Sequence, residues 1–257
     1  MTPTARVPLR TLTIIATLLL AFASPATAQL DLGGDQPAPV RELPPEDIDI
    51  ARLLRELQWT ASDPRDLSMI WLVPDALMEA LLLQGDETID PAEAARVSDA
   101  FEPFLIVGVI RGYFDDNGNA IFEPPGAVRS SVKLIDGDGE THRALGDVSE
   151  EVVSALATME QTLAAALGDL GAHTRFLVFS ARNAQGNSIL PRTERTILTA
   201  EMAALGTLPP QRVSWRLPLA ALLDDRICPL CHDGFNGAWA YCPWDGSRLV
   251  AAEHARR

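Results

Sequence analysis

Residues 104–114 read FLIVGVIRGYF and decide the fold, because they are the most apolar run beyond the N-terminal region of the chain. The run is rich in Val and Ile, whose branched side chains favour strands. A continuous apolar run of this kind is typical of a strand buried on both faces. We therefore predict a central strand over residues 104–114. The DDNGN sequence at residues 115–119 predicts a tight turn after it, and the chain resumes a strand over residues 120–123.

Further strands are predicted on the C-terminal side of this run. Most of them are joined by short turns that contain Gly or Asn, and they cover residues 128–136, 140–145, 175–181, 188–199 and 212–217. Successive strands joined by short turns pair in an antiparallel sense. The sequence therefore predicts an antiparallel sheet meander.

Helical patterns precede the central strand and interrupt the strand series. Apolar residues recur at helical spacing within residues 48–59, and helices are predicted to start at Pro74 and at Asp90, each with Pro near its first turn. The intervening stretch, residues 68–73, fits either a buried strand or a turn of helix. A long amphipathic helix is predicted over residues 149–167. Its apolar stripe comprises Val152, Val153, Leu156, Met159, Leu163 and Leu167.

Together these elements predict an α+β fold over residues 48–218, with N-terminal helices and the long helix packed across one face of the antiparallel sheet. A smaller module is predicted at residues 226–250.

The first 28 residues have the pattern of a secretory signal peptide. Arg6 and Arg10 precede a thirteen-residue apolar stretch at residues 11–23, and residues 26–28 (ATA) form a cleavage site. We therefore expect export to the periplasm or the outside of the cell, with an uncleaved anchor as the alternative. Residues 29–47 are rich in Pro and Gly and predict a flexible linker. No later segment is apolar enough to span a membrane, so no stable span is expected after cleavage.

The chain is acidic, with 35 acidic residues against 21 basic ones and a formal net charge of −14 at pH 7. Binding to nucleic acid requires a basic footprint, so this balance argues against a nucleic-acid partner. Lys133 is the only lysine in the sequence. The acidity suits solubility but identifies no partner.

Two similar turns lie close to the end of the chain, where residues 228–231 read CPLC and residues 242–246 read CPWDG. Zn²⁺ takes four tetrahedral N, S or O ligands, and a two-residue gap lets one turn present two of them. Cys228, Cys231, Cys242 and Asp245 therefore form a candidate site for a structural zinc ion. His232 is the alternative fourth ligand, and a weakened or lost site is the third possibility. Three cysteines are also an odd number for disulfides in an exported protein, which favours a metal.

Residues 241–249 (YCPWDGSRL) resemble the half-motif of degenerate zinc ribbons, and the resemblance covers about residues 226–250. In that family Pro fixes the turn, and Gly after the last ligand allows backbone N–H groups to face the sulfurs. This chain departs from the pattern in two places. His232 replaces the Gly of the first turn, and Asp245 replaces the last thiolate. The resemblance implies either a knuckle that presents Trp239 and Trp244 to a protein partner or a stabilising tail.

Catalytic motifs are missing elsewhere in the sequence: it contains no G-x-S-x-G, H-E-x-x-H, Walker or G-x-G-x-x-G pattern. His142 and His173 are expected at the surface. We therefore predict an exported, non-enzymatic binding or assembly protein, with another protein of the cell envelope as candidate partner. Two alternatives stay open. One is a motif-free enzyme, hydrolytic in type, with its active site in the α+β domain, and the other is a thiol redox protein that uses the CPLC motif.

Overall fold

The computed structural model describes residues 40–85 and 89–251 and confirms the α+β class. The predicted signal peptide (residues 1–28) and residues 29–39 of the predicted linker lie outside the described residues. In the described part of the chain, no helix is both long and apolar enough to cross a membrane.

The helices of the described residues are α1 (Ile50–Leu57), α2 (Asp75–Gly85), α3 (Pro91–Phe101), α4 (Pro125–Ser131), α5 (Glu150–Leu167) and α6 (Asp169–Ala172). Two short 3₁₀ helices cover Pro45–Asp47 and Ala220–Leu222. Side-chain N-caps begin two of the helices. Asp90 accepts a hydrogen bond from the N–H of Ala92 before α3, and Ser149 accepts one from the N–H of Val152 before α5.

The strands are β1 (Gln58–Thr60), β2 (Met69–Val73), β3 (Phe104–Ile110), β4 (Gly112–Phe114), β5 (Ala120–Phe122), β6 (Val132–Ile135), β7 (Thr141–Arg143), β8 (Arg175–Ser180), β9 (Thr196–Met202), β10 (Gln211–Leu217), β11 (Arg226–Ile227), β12 (Gly234–Phe235) and β13 (Val250–Ala251). They form two four-stranded antiparallel sheets, in the orders β1-β2-β3-β8 and β10-β9-β6-β7. The hairpin β4-β5 and the small sheet β12-β11-β13 complete the described strands. The strands of the main domain are thus divided between two sheets.

The central apolar run is confirmed as a strand from Phe104 to Ile110, but it does not continue unbroken to residue 114. Arg111 interrupts it, and the chain then enters the separate hairpin β4-β5. The Arg111 side chain is only 1% exposed, and its Nη2 donates to the carbonyl oxygens of Ala203 and Pro209 at 3.3 and 3.2 Å. A buried guanidinium therefore lies where β3 ends.

The predicted strand over residues 128–136 is wrong in its first half, where α4 occupies Pro125–Ser131. Pro125 lies at the first helical position, where its fixed φ favours a helix and its missing N–H costs nothing. Val128 is buried and the Ser131 hydroxyl donates to the Val128 carbonyl at 2.8 Å. Only residues 132–135 are a strand.

The predicted strand over residues 188–199 is also wrong in its first part. Ser188 forms a single bridge with Arg182, and the regular strand β9 begins at Thr196. Strand β9 pairs with β10 and β6, so it belongs to the second sheet and does not form a hairpin with β8. Pro191, which lacks a backbone donor, lies within the non-strand part.

One hydrophobic core joins the two four-stranded sheets with helices α1 to α5. The apolar stripe of α5 is buried at Val152, Leu156, Met159 and Leu163, whereas Val153 is 52% exposed and lies off the stripe. The segment before α1 packs on this body as well. Glu42 forms an antiparallel bridge with Leu223, and the Leu43 N–H donates to the Leu222 carbonyl at 2.9 Å. This contact ties residues 41–43 to the segment that leads into the C-terminal ribbon.

Candidate metal centre

The C-terminal ribbon consists of β11, β12 and β13 and carries two turns of the same construction. In the first turn, the Cys228 N–H donates to the Asp233 carbonyl at 3.0 Å and the His232 N–H donates to the Cys228 carbonyl at 3.0 Å. The second turn has the same two hydrogen bonds, and each joins residues at the same spacing as in the first turn, five residues for one bond and four for the other. There the Cys242 N–H donates to the Ser247 carbonyl at 2.8 Å, and the Gly246 N–H donates to the Cys242 carbonyl at 3.0 Å.

The equivalence of the two turns explains the unusual residue His232. His232 has a φ of 61° and Gly246 has a φ of 74°, so both residues adopt the left-handed conformation at the same place in their turns. Glycine adopts this conformation without a steric penalty, and histidine does so more readily than most other residues. His232 therefore fills the position of the turn glycine.

The structure brings four candidate ligands together. Single ligand atoms of Cys228, Cys231, Cys242 and Asp245 all lie within 4.8 Å of one another, and His232 is not part of this group. The Cys231 and Cys242 sulfurs are 3.8 Å apart, and the Cys228 sulfur lies 3.3 Å from Oδ2 of Asp245. Around a tetrahedral zinc with a Zn–S distance of about 2.3 Å, the expected S–S and S–O separations are about 3.8 and about 3.5 Å. The donor set and its spacing therefore fit such an ion.

Hydrogen bonds favour the charged form of two of the four candidate ligands, Cys228 and Asp245. Burial raises the pKa of the Cys228 thiol, but hydrogen bonds from the N–H groups of Cys231 and Leu230 outweigh this effect and leave its pKa below the ordinary value. The hydroxyl and N–H of Ser247 both donate to Asp245 and lower the pKa of its carboxyl group to about 2.

The Cys231 thiol holds its proton more tightly where no cation is present. Loss of hydration at the Cys231 sulfur, together with the neighbouring Cys228 and Cys242 thiols, raises the pKa of Cys231 to about 12. A cluster of sulfurs resists accumulating negative charge unless a cation balances it. The arrangement is therefore chemically suited to a metal ion.

A very small core supports the site. Cys228, Cys242 and Leu249 are its buried residues, with Phe235 and Trp239 packed against them. Trp239 stacks on Phe235 with ring centroids 5.9 Å apart, so it packs against this core and presents only part of its surface to solvent. Trp244 is 73% exposed and Leu230 is 71% exposed. Each of these two residues is the third residue of its turn.

The CPLC motif lacks the helix that thiol oxidoreductases place after it. Residues 229–231 form a turn, and the short strand β12 follows at Gly234. Cys228, the first thiol of the motif, is buried. The local structure therefore differs from the exposed thiol at a helix N-terminus that disulfide exchange uses.

The two histidines of the main domain have contacts unrelated to this site. His142 was expected at the surface but is buried, and its Nε2 lies 3.0 Å from Oδ2 of the equally buried Asp136. His173 is exposed and stacks on Phe122 at a centroid distance of 4.1 Å. Sequence analysis missed the Asp136–His142 pair, although the six-residue spacing across a Gly-containing turn is a signal for a cross-strand contact.

Comparisons with protein families, with curated proteins and with solved structures found no match to this chain. The fold and the site thus define the class by themselves. This is an α+β protein with a compact Cys₃Asp cluster, compatible with a zinc-ribbon-like site, in a C-terminal β-ribbon.

Proposed function

We propose that this chain is an exported, non-enzymatic binding or assembly protein of the cell envelope whose C-terminal ribbon is folded around one structural Zn²⁺ ion. The observation that carries the proposal is the Cys₃Asp cluster, with its four ligand atoms within 4.8 Å of one another. Four protein ligands leave no open position for water or substrate, which is the property of a structural zinc site. A catalytic site would need such an open position.

The size of the ribbon core supports a structural role for the ion. Three buried residues, two of them cysteines, remove too little apolar surface from water to hold a segment of this length. A structural zinc contributes about 10–16 kcal/mol of apparent binding free energy in small zinc fingers. The ion therefore supplies the stability that the apolar contacts lack.

Export and binding rest on different observations. The signal-peptide pattern of residues 1–28 supports export, and a metal would protect three thiols from oxidation in an oxidising compartment. The exposed Leu230 and Trp244 support binding. A large apolar side chain held on a rigid turn loses little conformational entropy when a protein partner binds it.

Zinc analysis of matched variants tests the metal site. We expect about one zinc per chain in the purified protein and a zinc affinity at least about tenfold lower in Asp245→Ala, because one of four ligands is lost. Asp233→Ala is the control, since Asp233 is an exposed acid of the first turn outside the cluster. His232→Ala is expected to retain the ion. Loss of zinc in His232→Ala but not in Asp245→Ala would reassign the fourth ligand.

The same samples separate the proposal from its alternatives. Three thiols that become reactive only after denaturation in chelator agree with a closed zinc site. A protein that contains no zinc, one free thiol and one disulfide would favour the thiol redox alternative. Cell fractionation and N-terminal sequencing test export, for which Gln29 is the expected first residue of the mature chain.

Site-specific photo-crosslinking in cells tests the binding role. A photoreactive residue at position 244 is expected to capture a discrete envelope protein. The control is the same residue at position 153, because Val153 is also an exposed apolar side chain but lies on α5 in the main domain. Capture by both positions, or by neither, would contradict a specific role for the ribbon.

A further inference from the structure

The three cysteines of the ribbon differ in their exposure to solvent. Cys228 and Cys242 are 0% and 1% exposed, whereas Cys231 is exposed. A bound zinc ion would protect the two buried sulfurs from oxidation, but small oxidants dissolved in water reach the exposed one. A zinc-bound cysteine is also a thiolate, which is the form that reacts with oxidants. Cys231 is therefore the cysteine that an external oxidant attacks first.

A second sulfur lies beside that of Cys231. The Cys242 sulfur is 3.8 Å from the Cys231 sulfur, although the two residues are eleven positions apart along the chain. A disulfide bond is about 2.05 Å long, so the two sulfurs must approach by about 1.8 Å for a bond to form. This approach becomes possible once an oxidised Cys231 sulfur no longer binds the ion, because the thiolate is the metal ligand. Cys242 is thus the cysteine positioned to react with an oxidised Cys231.

The third sulfur has different contacts. The Cys228 sulfur accepts hydrogen bonds from the N–H groups of Leu230 and Cys231, each at 3.4 Å, and it lies 3.3 Å from Oδ2 of Asp245. One disulfide uses two of the three thiols, so one thiol always remains reduced. The burial and the contacts of Cys228 assign this position to it.

We propose that Cys231 and Cys242 form a redox modification site, at which a peroxide converts two zinc-bound thiolates into a disulfide and the Zn²⁺ ion is released. The site rests on the proposed function, because zinc holds both sulfurs as thiolates in one place. Its reactant is a peroxide, its product is a ribbon with one disulfide and one free thiol, and a thiol reductant reverses it.

The reaction balances in two steps. The Cys231 thiolate attacks one oxygen of hydrogen peroxide, so that an S–O bond forms, the O–O bond breaks and hydroxide leaves. The Cys242 thiolate then attacks the Cys231 sulfur, so that the S–S bond forms and the S–O bond breaks with loss of a second hydroxide. The two sulfurs lose two electrons, and the peroxide is reduced to two hydroxide ions that take up protons from the buffer.

Release of the ion follows from the number of ligands. Zinc needs four ligands, and the disulfide removes two of them and leaves one thiolate and one carboxylate. The ribbon core has three buried residues and does not hold the segment without the ion, so the ribbon opens around the new disulfide. Leu230 and Trp244 are then no longer held in fixed turns. Oxidation thereby acts on the surface that the proposed function assigns to binding.

Peroxide treatment of the zinc-loaded protein tests the proposal. We expect about one zinc ion released per disulfide formed, measured with a chromogenic chelator, and about one thiol per chain that is alkylated after denaturation. Chymotryptic cleavage after Phe235 separates the two turns, so mass spectrometry of the unreduced peptides identifies the pair. We expect the disulfide to join Cys231 with Cys242 and the alkylated thiol to be Cys228. A thiol reductant with added zinc should restore the original metal content.

Two histidine substitutions form a matched pair, because histidine binds zinc but cannot form a disulfide. Cys231→His is expected to slow the release of zinc by peroxide at least about tenfold, since the attacked sulfur is absent. Cys228→His also replaces one thiolate ligand by an imidazole but keeps the reacting pair. It should therefore still release zinc and still form the disulfide between Cys231 and Cys242. Disulfide mapping of the unchanged protein identifies the pair without either variant.

Three results would overturn the proposal and leave the structural zinc site intact. Retention of zinc and of all three thiols in excess peroxide would show that the site is not oxidised. A disulfide within the CPLC turn would assign the reaction to the thiol redox alternative. Equal rates of zinc release in Cys231→His and Cys228→His would show that Cys231 is not the attacked cysteine. Absence of zinc before peroxide is added would instead contradict the proposed function itself.

Discussion

At the residue scale, the geometry of the two ribbon turns separates the role of His232 from that of Asp245. Asp245 occupies the position equivalent to Cys231, and its carboxylate approaches the Cys228 sulfur to 3.3 Å. His232 occupies the position equivalent to Gly246 and has the same left-handed backbone. A left-handed conformation costs about 1–2 kcal/mol for residues other than glycine. His232 thus carries a backbone penalty inside the candidate site.

Substitution of His232 by glycine is expected to strengthen the metal site. Relief of about 1 kcal/mol corresponds to about fivefold tighter zinc binding, because folding of the ribbon and binding of the ion are coupled. His232→Val should weaken binding, since a β-branched residue is least able to adopt a positive φ. Competition with a chromogenic chelator measures both effects. Weaker binding by His232→Gly would show that the imidazole contributes to the site.

The buried Asp136 is a second residue whose charge state is set by its contacts. Its Oδ1 accepts the N–H groups of Asp138 and Glu140 at 3.0 and 2.8 Å, and its Oδ2 lies 3.0 Å from Nε2 of His142. Burial raises the pKa of Asp136, but the hydrogen bonds with His142 and Glu140 outweigh burial and leave the pKa below its ordinary value. The carboxylate therefore organises the turn between β6 and β7.

Stability is expected to depend on this carboxylate in a defined pH range. A depressed folded-state pKa means that the contribution is complete above the ordinary Asp value of about 4 and is lost as the pH falls through the folded-state value. Asp136→Asn should reduce the free energy of unfolding by about 1–3 kcal/mol at pH 7, and the difference should shrink below about pH 4.

Urea unfolding at a series of pH values measures this effect. Asp116→Asn is the control, because Asp116 forms an ion pair with Arg65 but its side chain is 92% exposed. Exposed pairs contribute about 0–1 kcal/mol. The free energies of unfolding of Asp136→Asn and of the unchanged protein should converge at low pH. If their difference stays constant down to pH 3, the carboxylate is not its source.

At the scale of elements, the first sheet is organised around a glycine in its central strand. Gly108 of β3 pairs with Trp71 of β2 on one side and with Phe176 of β8 on the other. The two rings meet edge to face with centroids 6.1 Å apart. A Cβ atom on Gly108 would lie 2.1 Å from the Trp71 ring. The absence of a side chain at Gly108 therefore lets the Trp71 ring lie against the strand.

Two Gly→Ala substitutions are expected to have opposite effects. Gly108→Ala should destabilise the protein by about 1–3 kcal/mol or more, because the buried ring must move in a packed core. Gly126→Ala in α4 should stabilise it by up to about 1 kcal/mol, since an added Cβ there meets nothing within 4 Å and alanine favours a helix. Thermal and urea unfolding measure both variants. Trp71→Leu should relieve most of the cost of Gly108→Ala, and an additive double variant would contradict this explanation.

At the scale of the whole molecule, the ribbon and the main domain differ in what stabilises them. The main core contains residues from both four-stranded sheets and five helices, whereas the ribbon core contains Cys228, Cys242 and Leu249. The two are joined by residues 222–224, which pair with residues 41–43. Stability is therefore expected to be unequal along the chain.

Removal of the metal is expected to open the ribbon without unfolding the main domain. In amide hydrogen exchange, a strong chelator should abolish protection over residues 226–251 and leave β3 protected, because the apolar contacts of β3 do not involve the ion. Cys228→Ser should show the same loss without chelator. Protection of the ribbon that persists after the metal has been removed would mean that the ion has no structural role.

The sequence by itself determined most elements and the local design of the candidate site. A continuous apolar run identified β3, an amphipathic stripe identified α5, and Asp90 followed by Pro91 identified the start of α3. The CPLC and CPWDG motifs identified the four residues that the structure brings together. These features depend on neighbours a few residues apart, so local spacing is enough to predict them.

Only the tertiary structure decided how distant segments combine. Strand β9 joined β10 and β6 in a second sheet, the stretch at residues 125–131 became a helix, and His142 was buried against Asp136. Strand pairing and burial depend on packing between segments far apart in sequence, and local patterns do not encode that packing.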